Sequence, residues 1–564
     1  GAGKGAGKSI PVDISLAFHS DAGVTSCDSL IGTLAIYTLN CDGKDTYLNG
    51  RSRKAARTYA DYVQTQVKKD IDATFGTTWR RREIWNRSYS ESRTTGVPGM
   101  LLELLSHQNF ADMKYGLDPM FKFTVSRAVY KGMLKFLSQL YGVPYCVQPL
   151  PVSDFAAVLS EDGSKATLSC KAVQDPLEPT ASPTGYILYT RVGDGAFDRG
   201  VILKDVSVQD GVCSTVVALR EGVLHSWRIA AYNSGGESFP SEALCAGYMP
   251  SAKSRVLVVN NFDRVSAPAW VDTPLYAGFD GRTDNGVPWG YDISFAGEQY
   301  EWRRDHSWIS NENPGFGASR TNMAGSVIPG NTFDFVYDHA RLLMERGYSV
   351  SSASRDAWCA DADVSAGAQA VDLLCGKQRT TLSASGGIRH RVWPDALRER
   401  VQQWCSQGGG LVVSGAAIAS DVSDCVYPWQ PSEADIIKGS DFLAGTLGIK
   451  LVSARESSGN VAIARGGRSM LRTLQGAIHY NTAYVEAPVY CVENADAIGP
   501  APGSKALVLL RYSDTSDPAA VAYTGETYRC VSFGFPLEVI SDQEITASLL
   551  DTSLSWIAAL KEGR

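Results

Sequence analysis

Apolar and polar positions in the first part of the chain alternate between strand and helix patterns. Val12 to Phe18 alternates and then runs apolar, as a buried strand does. Ser52 to Phe75 carries apolar residues at helical spacing, which predicts an amphipathic helix. Gly99 to Leu104 predicts a short core strand, and Phe121 to Leu140 predicts a long closing helix. Residues 1–145 are therefore predicted to form an α/β domain.

The pattern changes to short alternating strands over residues 150–250. The clearest runs are Lys165 to Cys170, Gly185 to Tyr189 and His225 to Asn233. Strands of this size and spacing predict a β-sandwich. The run from Ala231 to Ser238 resembles the end of a fibronectin type III domain, where a late strand leads into a polar turn.

Residues 254–564 return to an α/β pattern. Arg255 to Asn260 predicts an opening parallel strand, and alternating helices and strands follow it. This predicts a doubly wound sheet, flavodoxin-like or amidotransferase-like in outline. Asn260 to Arg264 follow the first strand without a glycine-rich phosphate loop, so a bound nucleotide is not expected.

A long insertion at residues 273–331 separates the first strand of this domain from its first helix. Insertions of that length usually carry function or cover a site. Its aromatic residues either stack on sugars or pack a lid; they are Trp289, Tyr291, Tyr300, Trp302 and Trp308.

Charge and composition exclude two classes of partner. The 53 basic and 60 acidic residues give a net charge of -7, with no basic stripe for nucleic acid. No apolar run is long enough to cross a bilayer. The 12 cysteines show no regular spacing, so they are either buried thiols or disulfides of an exported protein.

The chain begins with a Gly/Lys-rich segment, Gly1 to Lys8, that has no apolar central region and is not a signal peptide. We expect processing or cleavage ahead of Gly1 by a protease that cuts after Lys or Arg. The expected location is outside the cytoplasm: the periplasm, the cell surface or the medium.

Two short segments suggest chemistry in the first domain. His19 ends the first predicted strand and is followed by a polar turn at Ser20 and Asp21, where open α/β sheets bind ligands. Glu103 interrupts an apolar strand, which is costly unless the carboxylate is paired or used. Taken alone, His19 fits a hydrogen-bonded loop residue, and Glu103 fits an ion-pair partner of Arg93 or Arg82.

Together these segments resemble the zinc-dependent N-acetylmuramoyl-L-alanine amidases of peptidoglycan. The resemblance implies that His19 is a Zn²⁺ ligand and that Glu103 is the catalytic glutamate. It implies substrate-contacting roles for Asp21 and for Arg93, which lies just ahead of Val97-Pro98. Asn109 to Asp112 continues like the family's segment after the glutamate, and His107 is expected to be a surface turn residue.

The sequence departs from the family pattern at Asp21, where the family has Asn, and at Leu104, where it has Gly. The family's first two zinc ligands, a His and a Glu, lie upstream of the strand-end His, and no His or Glu precedes His19 here. A lone His does not hold a catalytic zinc. We therefore expect this chain to be active only as an uncut precursor or with an associated upstream fragment.

The leading hypothesis is an exported amidase that cleaves the N-acetylmuramoyl–L-alanine bond of a muropeptide. The alternative is a non-catalytic surface or scaffold protein that binds glycan or a partner through a degenerate amidase fold. A polysaccharide-processing role of the C-terminal domain ranks last. The domain combination resembles exported proteins of the Bacteroidota that carry the label "xanthan lyase" or amidase, although no polysaccharide-lyase site is recognisable.

Overall fold

The chain is multi-domain and strand-rich, with mixed sheets and helices. The computed structural model describes residues 12–23, 29–281, 284–295, 301–303, 323, 325–423 and 431–562. The Gly/Lys-rich segment and two aromatics of the insertion, Tyr300 and Trp308, lie outside the described residues. The side chain of Trp302 is likewise not described.

The N-terminal domain is a small sheet with two long helices against one face. Its elements are β1 (Ser15–Asp21), β2 (Leu34–Tyr37), α1 (Lys54–Phe75), β3 (Trp85–Asn86), α2 (Ser90–Arg93), β4 (Gly99–Ser106), α3 (Phe110–Gly116) and α4 (Pro119–Tyr141).

The ends of its long helices follow from local chemistry. Asp118 precedes α4, and its side chain accepts a hydrogen bond from the Met120 amide, while Pro119 occupies the first helical position. Gly142 ends α4 with a φ of 68° in the left-handed region, which glycine adopts without strain. The predicted helices at Ser52–Phe75 and Phe121–Leu140 are thus confirmed as α1 and α4.

The middle segment is built from short antiparallel strands. They are β5 (Ser153–Leu159), β6 (Lys165–Lys171), β7 (Gly185–Val192), β8 (Val201–Ile202), β9 (Ser207–Gln209), β10 (Val212–Ala218), β11 (His225–Asn233), β12 (Gly236–Glu237) and β13 (Leu244–Ala246). Buried side chains of β6, β7 and β11, among them Leu168, Leu188 and Trp227, share one core cluster.

The C-terminal domain carries the remaining elements. In chain order, its strands are β14 (Arg255–Asn260), β15 (Trp270–Asp272), β16 (Tyr276–Phe279), β17 (Tyr291–Asp292), β18 (Glu301–Arg303), β19 (Ile328–Pro329), β20 (Ser349–Ser354), β21 (Ala370–Gly376), β22 (Thr381–Leu382), β23 (Ile388–Arg389), β24 (Gly410–Gly415), β25 (Ile449–Glu456), β26 (Asn460–Ile463), β27 (Ile478–His479), β28 (Asn494–Pro500), β29 (Leu507–Tyr512), β30 (Pro518–Thr524) and β31 (Arg529–Phe533). Its helices are α5 (Phe335–Glu345), α6 (Arg355–Ala360), α7 (Asp395–Ser406), α8 (Ser420–Ser423), α9 (Glu433–Phe442) and α10 (Gln543–Glu562).

Five of these strands form a parallel array in the order β20-β14-β21-β24-β31. The first strand in the chain lies second in space, which is the order of flavodoxin-like doubly wound sheets. After β14 the chain adds β20 on one side, and it then adds β21, β24 and β31 on the other side. The strand order therefore reverses between β14 and β21. This places the residues that follow those two strands at a crevice.

The same sheet continues into the middle segment. β5 pairs antiparallel with β20, with Ala157 opposite Ser352, and β6, β10 and β9 extend the sheet beyond β5. The described residues therefore form one 13-stranded sheet that crosses the predicted boundary between residues 250 and 254. The sequence pattern did not predict this continuity.

The described cysteines and helices bear on two sequence expectations. Ten cysteines lie in the described part of the chain and all are free thiols; Cys27 and Cys425 fall outside it. Within the described residues, no helix is both long enough and apolar enough to span a bilayer.

Candidate functional site

His19 and Glu103 lie opposite each other on neighbouring strands. β1 and β4 pair in parallel, and His19 is the register partner of Glu103. Adjacent strands lie about 4.8 Å apart, and side chains at paired positions project from the same face of the sheet. The structure thus brings together the two residues that sequence reasoning selected on separate segments.

The face that carries His19 and Glu103 is not the face that packs on the long helices. Met100 and Leu102 of β4 join the core cluster of α1 and α4. Leu101, between them, packs instead with Leu34 and Ile36 of β2 in a separate small cluster. Because side chains alternate along a strand, Glu103 shares the face of Leu101. The candidate site therefore lies on the face opposite α1 and α4.

Glu103 is a partly buried carboxyl group with an unsatisfied oxygen. Its Oε2 atom is buried and has no hydrogen-bond partner among the described residues. Burial raises the pKa of Glu103 and the charge of Asp21 raises it further, while His19 and Arg82 lower it. A carboxyl group with a raised pKa keeps its proton to higher pH than a solvent-exposed glutamate does.

Asp21 sits at the end of β1 and is held by Arg82. Arg82 Nη1 donates to Asp21 Oδ2 at 2.6 Å, and the guanidinium lies 5.4 Å from the centre of the Trp85 ring. Sequence reasoning offered Arg82 as a partner of Glu103, whereas its ion pair is with Asp21. Asp21 is therefore oriented at the edge of the site by an ion pair, with its second oxygen accepting from the Ala22 amide.

Arg93 lies on α2, a short helix that packs against β1, β4 and β2. Arg93 Nη1 donates to Ser88 Oγ at 2.7 Å, and the structure shows no ion pair between Arg93 and Glu103. The hydroxyl of Ser92 lies 2.7 Å from that of Thr38 and ties α2 to the sheet.

Sequence reasoning missed Glu91 and Trp85. Glu91, also on α2, is fully exposed; its own amide and the Ser90 hydroxyl lower its pKa, and the nearby His19 lowers it further. Trp85 is the register partner of Ile36, so it shares the face of the site, and it is 39% exposed. The only sequence signal was a cluster of charged and aromatic residues between positions 80 and 93.

The segment after Glu103 is ordered by one buried carboxylate. Asp112 accepts hydrogen bonds from the amides of Ile31, Gly32 and Ser106 at 2.9, 3.2 and 2.8 Å. These bonds join the end of β4 to the loop that follows β1. His107, expected at the surface, is partly buried: its Nδ1 lies 3.1 Å from Ser20 Oγ, and burial lowers its pKa.

The described residues do not by themselves fit a catalytic zinc. Such a site takes about three protein ligands and keeps one position open. No group of three or more His, Cys, Asp or Glu side chains in the described part of the chain is arranged to hold a metal. His19 is a single nitrogen donor, and the nearby carboxylates do not complete a set around it.

Comparisons by sequence give no assignment. No family model matches the chain, and no curated protein matches its sequence.

Comparisons by structure give partial similarities. The chain is similar to an N-acetylmuramoyl-L-alanine amidase from Clostridium difficile 630, with 16% identity over 22% of this chain and 58% of that one, at a TM-score of 0.18. It is also similar to the CwlD amidase from Clostridioides difficile, solved in complex with the GerS lipoprotein, with 20% identity over 23% of this chain and 57% of that one, at a TM-score of 0.19. A human FNIII domain is 14% identical over 18% of this chain and 80% of that one, at a TM-score of 0.15.

The chain thus spans 58% and 57% of the lengths of those two amidases. TM-scores this low say nothing about activity. A functional assignment has to rest on the geometry around His19 and Glu103.

Proposed function

We propose that the N-terminal domain is an amidase-type module of an exported protein that acts on peptidoglycan, at the amide bond between N-acetylmuramic acid and L-alanine. The observation that supports it is the buried, unpartnered Oε2 of Glu103 opposite His19 on the adjacent strand. A buried polar atom without a partner costs free energy, and functional sites are where such a cost is retained.

Glu103 is the proton carrier in this proposal. Its raised pKa suits a group that takes a proton from an attacking water and returns it to the leaving amine. Asp21, held by Arg82, and Arg93 on α2 are the proposed substrate-contacting residues.

Zn²⁺ belongs to the proposal only with ligands beyond the described residues. His19 supplies one nitrogen, and we propose that the other ligands come from an upstream fragment of the same precursor. When bound, zinc would supply Lewis-acid activation of water. In this proposal, Glu103 accepts and returns the proton, and Asp21 and Arg93 contact the substrate.

The direct test is release of free L-alanine amino groups from purified peptidoglycan by the natively purified protein. Zinc content and intact mass are measured on the same sample. Activity, about one zinc per molecule and a co-purifying fragment are expected together. Glu103→Gln should abolish release while leaving zinc content unchanged, and Glu456→Gln, an exposed strand-end glutamate of the C-terminal domain, serves as the control. Full activity of Glu103→Gln would contradict the assignment.

A second candidate is peptidoglycan binding without cleavage. It is favoured by the lack of a three-ligand metal group among the described residues. Trp85 offers a recognition element on the same face, with the guanidinium groups of Arg82 and Arg87 at 5.4 and 6.0 Å from its ring centre. Retention of the protein on insoluble peptidoglycan without amine release, weakened by Trp85→Ala, would support this alternative over the amidase.

A further inference from the structure

A cavity open to solvent, lined by charged residues and alanines, lies at the carboxyl edge of the C-terminal parallel sheet. Arg264, shortly after β14, and Lys377, directly after β21, both line it. These two strands are neighbours, and the strand order reverses between them. Open parallel sheets bind their ligands in the crevice at such a reversal. The cavity therefore occupies the position where the fold itself favours a ligand.

Arg264, Lys377 and Arg379 are the cations that line this cavity, and two of them are held in ion pairs. Arg264 forms an ion pair with Asp284, and Lys377 forms one with Glu493. These side chains are buried or nearly so, and the carboxylates cancel the positive charge that a phosphate would need. Asp284, Glu493 and Asp496 match the three cations of the lining in number, and no glycine-rich loop follows β14. We therefore do not expect a phosphate-bearing ligand.

Asp496 supplies the second observation. Its side chain lines the cavity and is 1% exposed. Oδ2 accepts from the amides of Ala419 and Ser420 at 2.7 and 2.8 Å, but Oδ1 is buried without a hydrogen-bond partner among the described residues. Burial raises the pKa of Asp496 to about 6, against the lowering effect of those hydrogen bonds, so the group is ionised at pH 7 and above. An unpaired buried carboxylate oxygen calls for a donor from a ligand.

Arg264 lines the same cavity and has hydrogen-bond donors that a ligand can use. Its guanidinium donates through Nε to Ser266 Oγ, through Nη1 to the Lys377 carbonyl and through Nη2 to Asp284. A guanidinium has five N–H groups, so these bonds leave two. The alanine side chains of the lining, Ala416, Ala417 and Ala454, contribute only methyl groups.

We propose that this crevice binds a neutral, hydroxyl-rich ligand of the saccharide class, with one hydroxyl donating to Asp496 Oδ1 and accepting from Arg264. A sugar hydroxyl both donates and accepts, as this pair requires. A neutral ligand also matches a lining whose charges are balanced. This site is separate from the N-terminal site and does not depend on the amidase assignment.

The test is calorimetric titration and saturation-transfer NMR on the full chain, with N-acetylglucosamine, glucose, galactose and mannose as probes and glucose 6-phosphate as the charged counterpart. We expect at least one neutral sugar to bind and the phosphate ester to bind more weakly than glucose. Asp496→Asn keeps the shape but replaces the free acceptor with a donor, and it should weaken binding about tenfold or more.

The matched control is Asp421→Asn. Asp421 is equally buried, but both its oxygens accept hydrogen bonds, from the Thr380 amide at 2.6 Å and the Val392 amide at 2.9 Å, and it lines a different cavity. Its variant should bind sugar like the parent protein.

A second variant keeps the test decisive if Asp496→Asn does not fold. Ala454→Leu adds bulk at the partly exposed rim of the cavity and replaces none of its charged residues, and it should abolish binding. The inference is overturned if no neutral sugar binds at millimolar concentration, if glucose 6-phosphate binds more tightly than glucose, or if either variant binds as well as the parent protein.

Discussion

His19 and Glu103 are register partners in the parallel pair of β1 and β4, although 84 positions separate them in the chain. Neither residue would suggest a site by itself. Their pairing on a face that is not covered by α1 and α4, together with the unpartnered Oε2 of Glu103, defines the candidate site.

Replacing Glu103 with Met should stabilise the N-terminal domain while removing its proton carrier. The folded-state pKa of Glu103 is raised, so its ionised form opposes folding above that pKa and its protonated form does not. We expect the free energy of unfolding to rise by about 1 kcal/mol at pH 8 and by less at pH 4. Hydrogen exchange of the β4 amides measures the change. A destabilised variant at pH 8 would show that Glu103 is a structural residue.

Removing Arg82 should raise the pKa of Glu103. Arg82 lowers that pKa in the folded protein and holds Asp21, whose negative charge raises it. In Arg82→Ala, the carboxyl carbon of Glu103 should titrate at higher pH by ¹³C NMR. Arg81→Ala is the control, since Arg81 pairs with the more exposed Asp61. An unchanged titration in Arg82→Ala would contradict the electrostatic link.

The contact between α1 and α4 contains a buried ion pair whose disruption should be costly. Lys131 Nζ lies 2.6 Å from Asp70 Oδ2, and the two side chains are 1% and 2% exposed. Lys131→Met leaves a buried carboxylate without its cation and should cost about 3–5 kcal/mol. The double variant Lys131→Met with Asp70→Leu should recover much of that loss.

The control is Lys68→Met on α1, the helix that carries Asp70, because Lys68 and Asp72 form a partly exposed pair whose loss should cost less than about 1 kcal/mol. Chemical denaturation of the variants measures all three changes. Equal losses for Lys131→Met and Lys68→Met would show that burial does not govern the strength of these pairs.

The buried His339 should make the C-terminal domain less stable at alkaline pH. Burial alone lowers the pKa of His339, but Asp372 at 2.7 Å and Glu538 at 3.6 Å outweigh it and raise the pKa from 6.5 to about 10. The resulting stability is fully present below pH 6.5 and is lost as the pH rises towards 10. We expect the free energy of unfolding to fall across that interval, as measured by denaturant titration at each pH.

Asp372→Asn should move this loss to lower pH, because one of the two carboxylates that hold the proton is gone. His225→Gln is the control: burial lowers the pKa of His225, so its contribution to stability is lost only as the pH falls below 6.5. An alkaline pH dependence that is the same in Asp372→Asn and the parent protein would contradict the role of His339.

Local pattern predicted the elements that carry the candidate site. The spacing of apolar residues predicted α1 and α4, and the alternation around Glu103 predicted β4. Strand β1 was predicted to end at His19 and instead reaches Asp21, where the register with β4 shifts between His19 and Asp21. Such an irregularity depends on the partner strand, so it leaves no mark in a single segment.

Contacts between distant segments could not be predicted in the same way. Arg82 pairs with Asp21 across 61 positions, and the sequence allowed Glu103 as its partner equally well. Trp85 joins the site because β3 pairs with β2 in the sheet, and Glu91 joins it because α2 packs against β1, β4 and β2. A single charged or indole side chain forms no repeating pattern in the sequence. The sequence therefore does not indicate which partner such a side chain contacts.

The sequence by itself determined where helices and strands form and which polar residues interrupt them, because backbone propensity and side-chain alternation act over a few residues. Tertiary structure alone decided that β5 joins β20 in a sheet shared by two predicted domains, and that Arg264, Lys377 and Asp496 meet at one crevice. Strand edges offer the same backbone hydrogen bonds to any partner, so pairing is selected by the packing of the whole core and not by the strand's own residues.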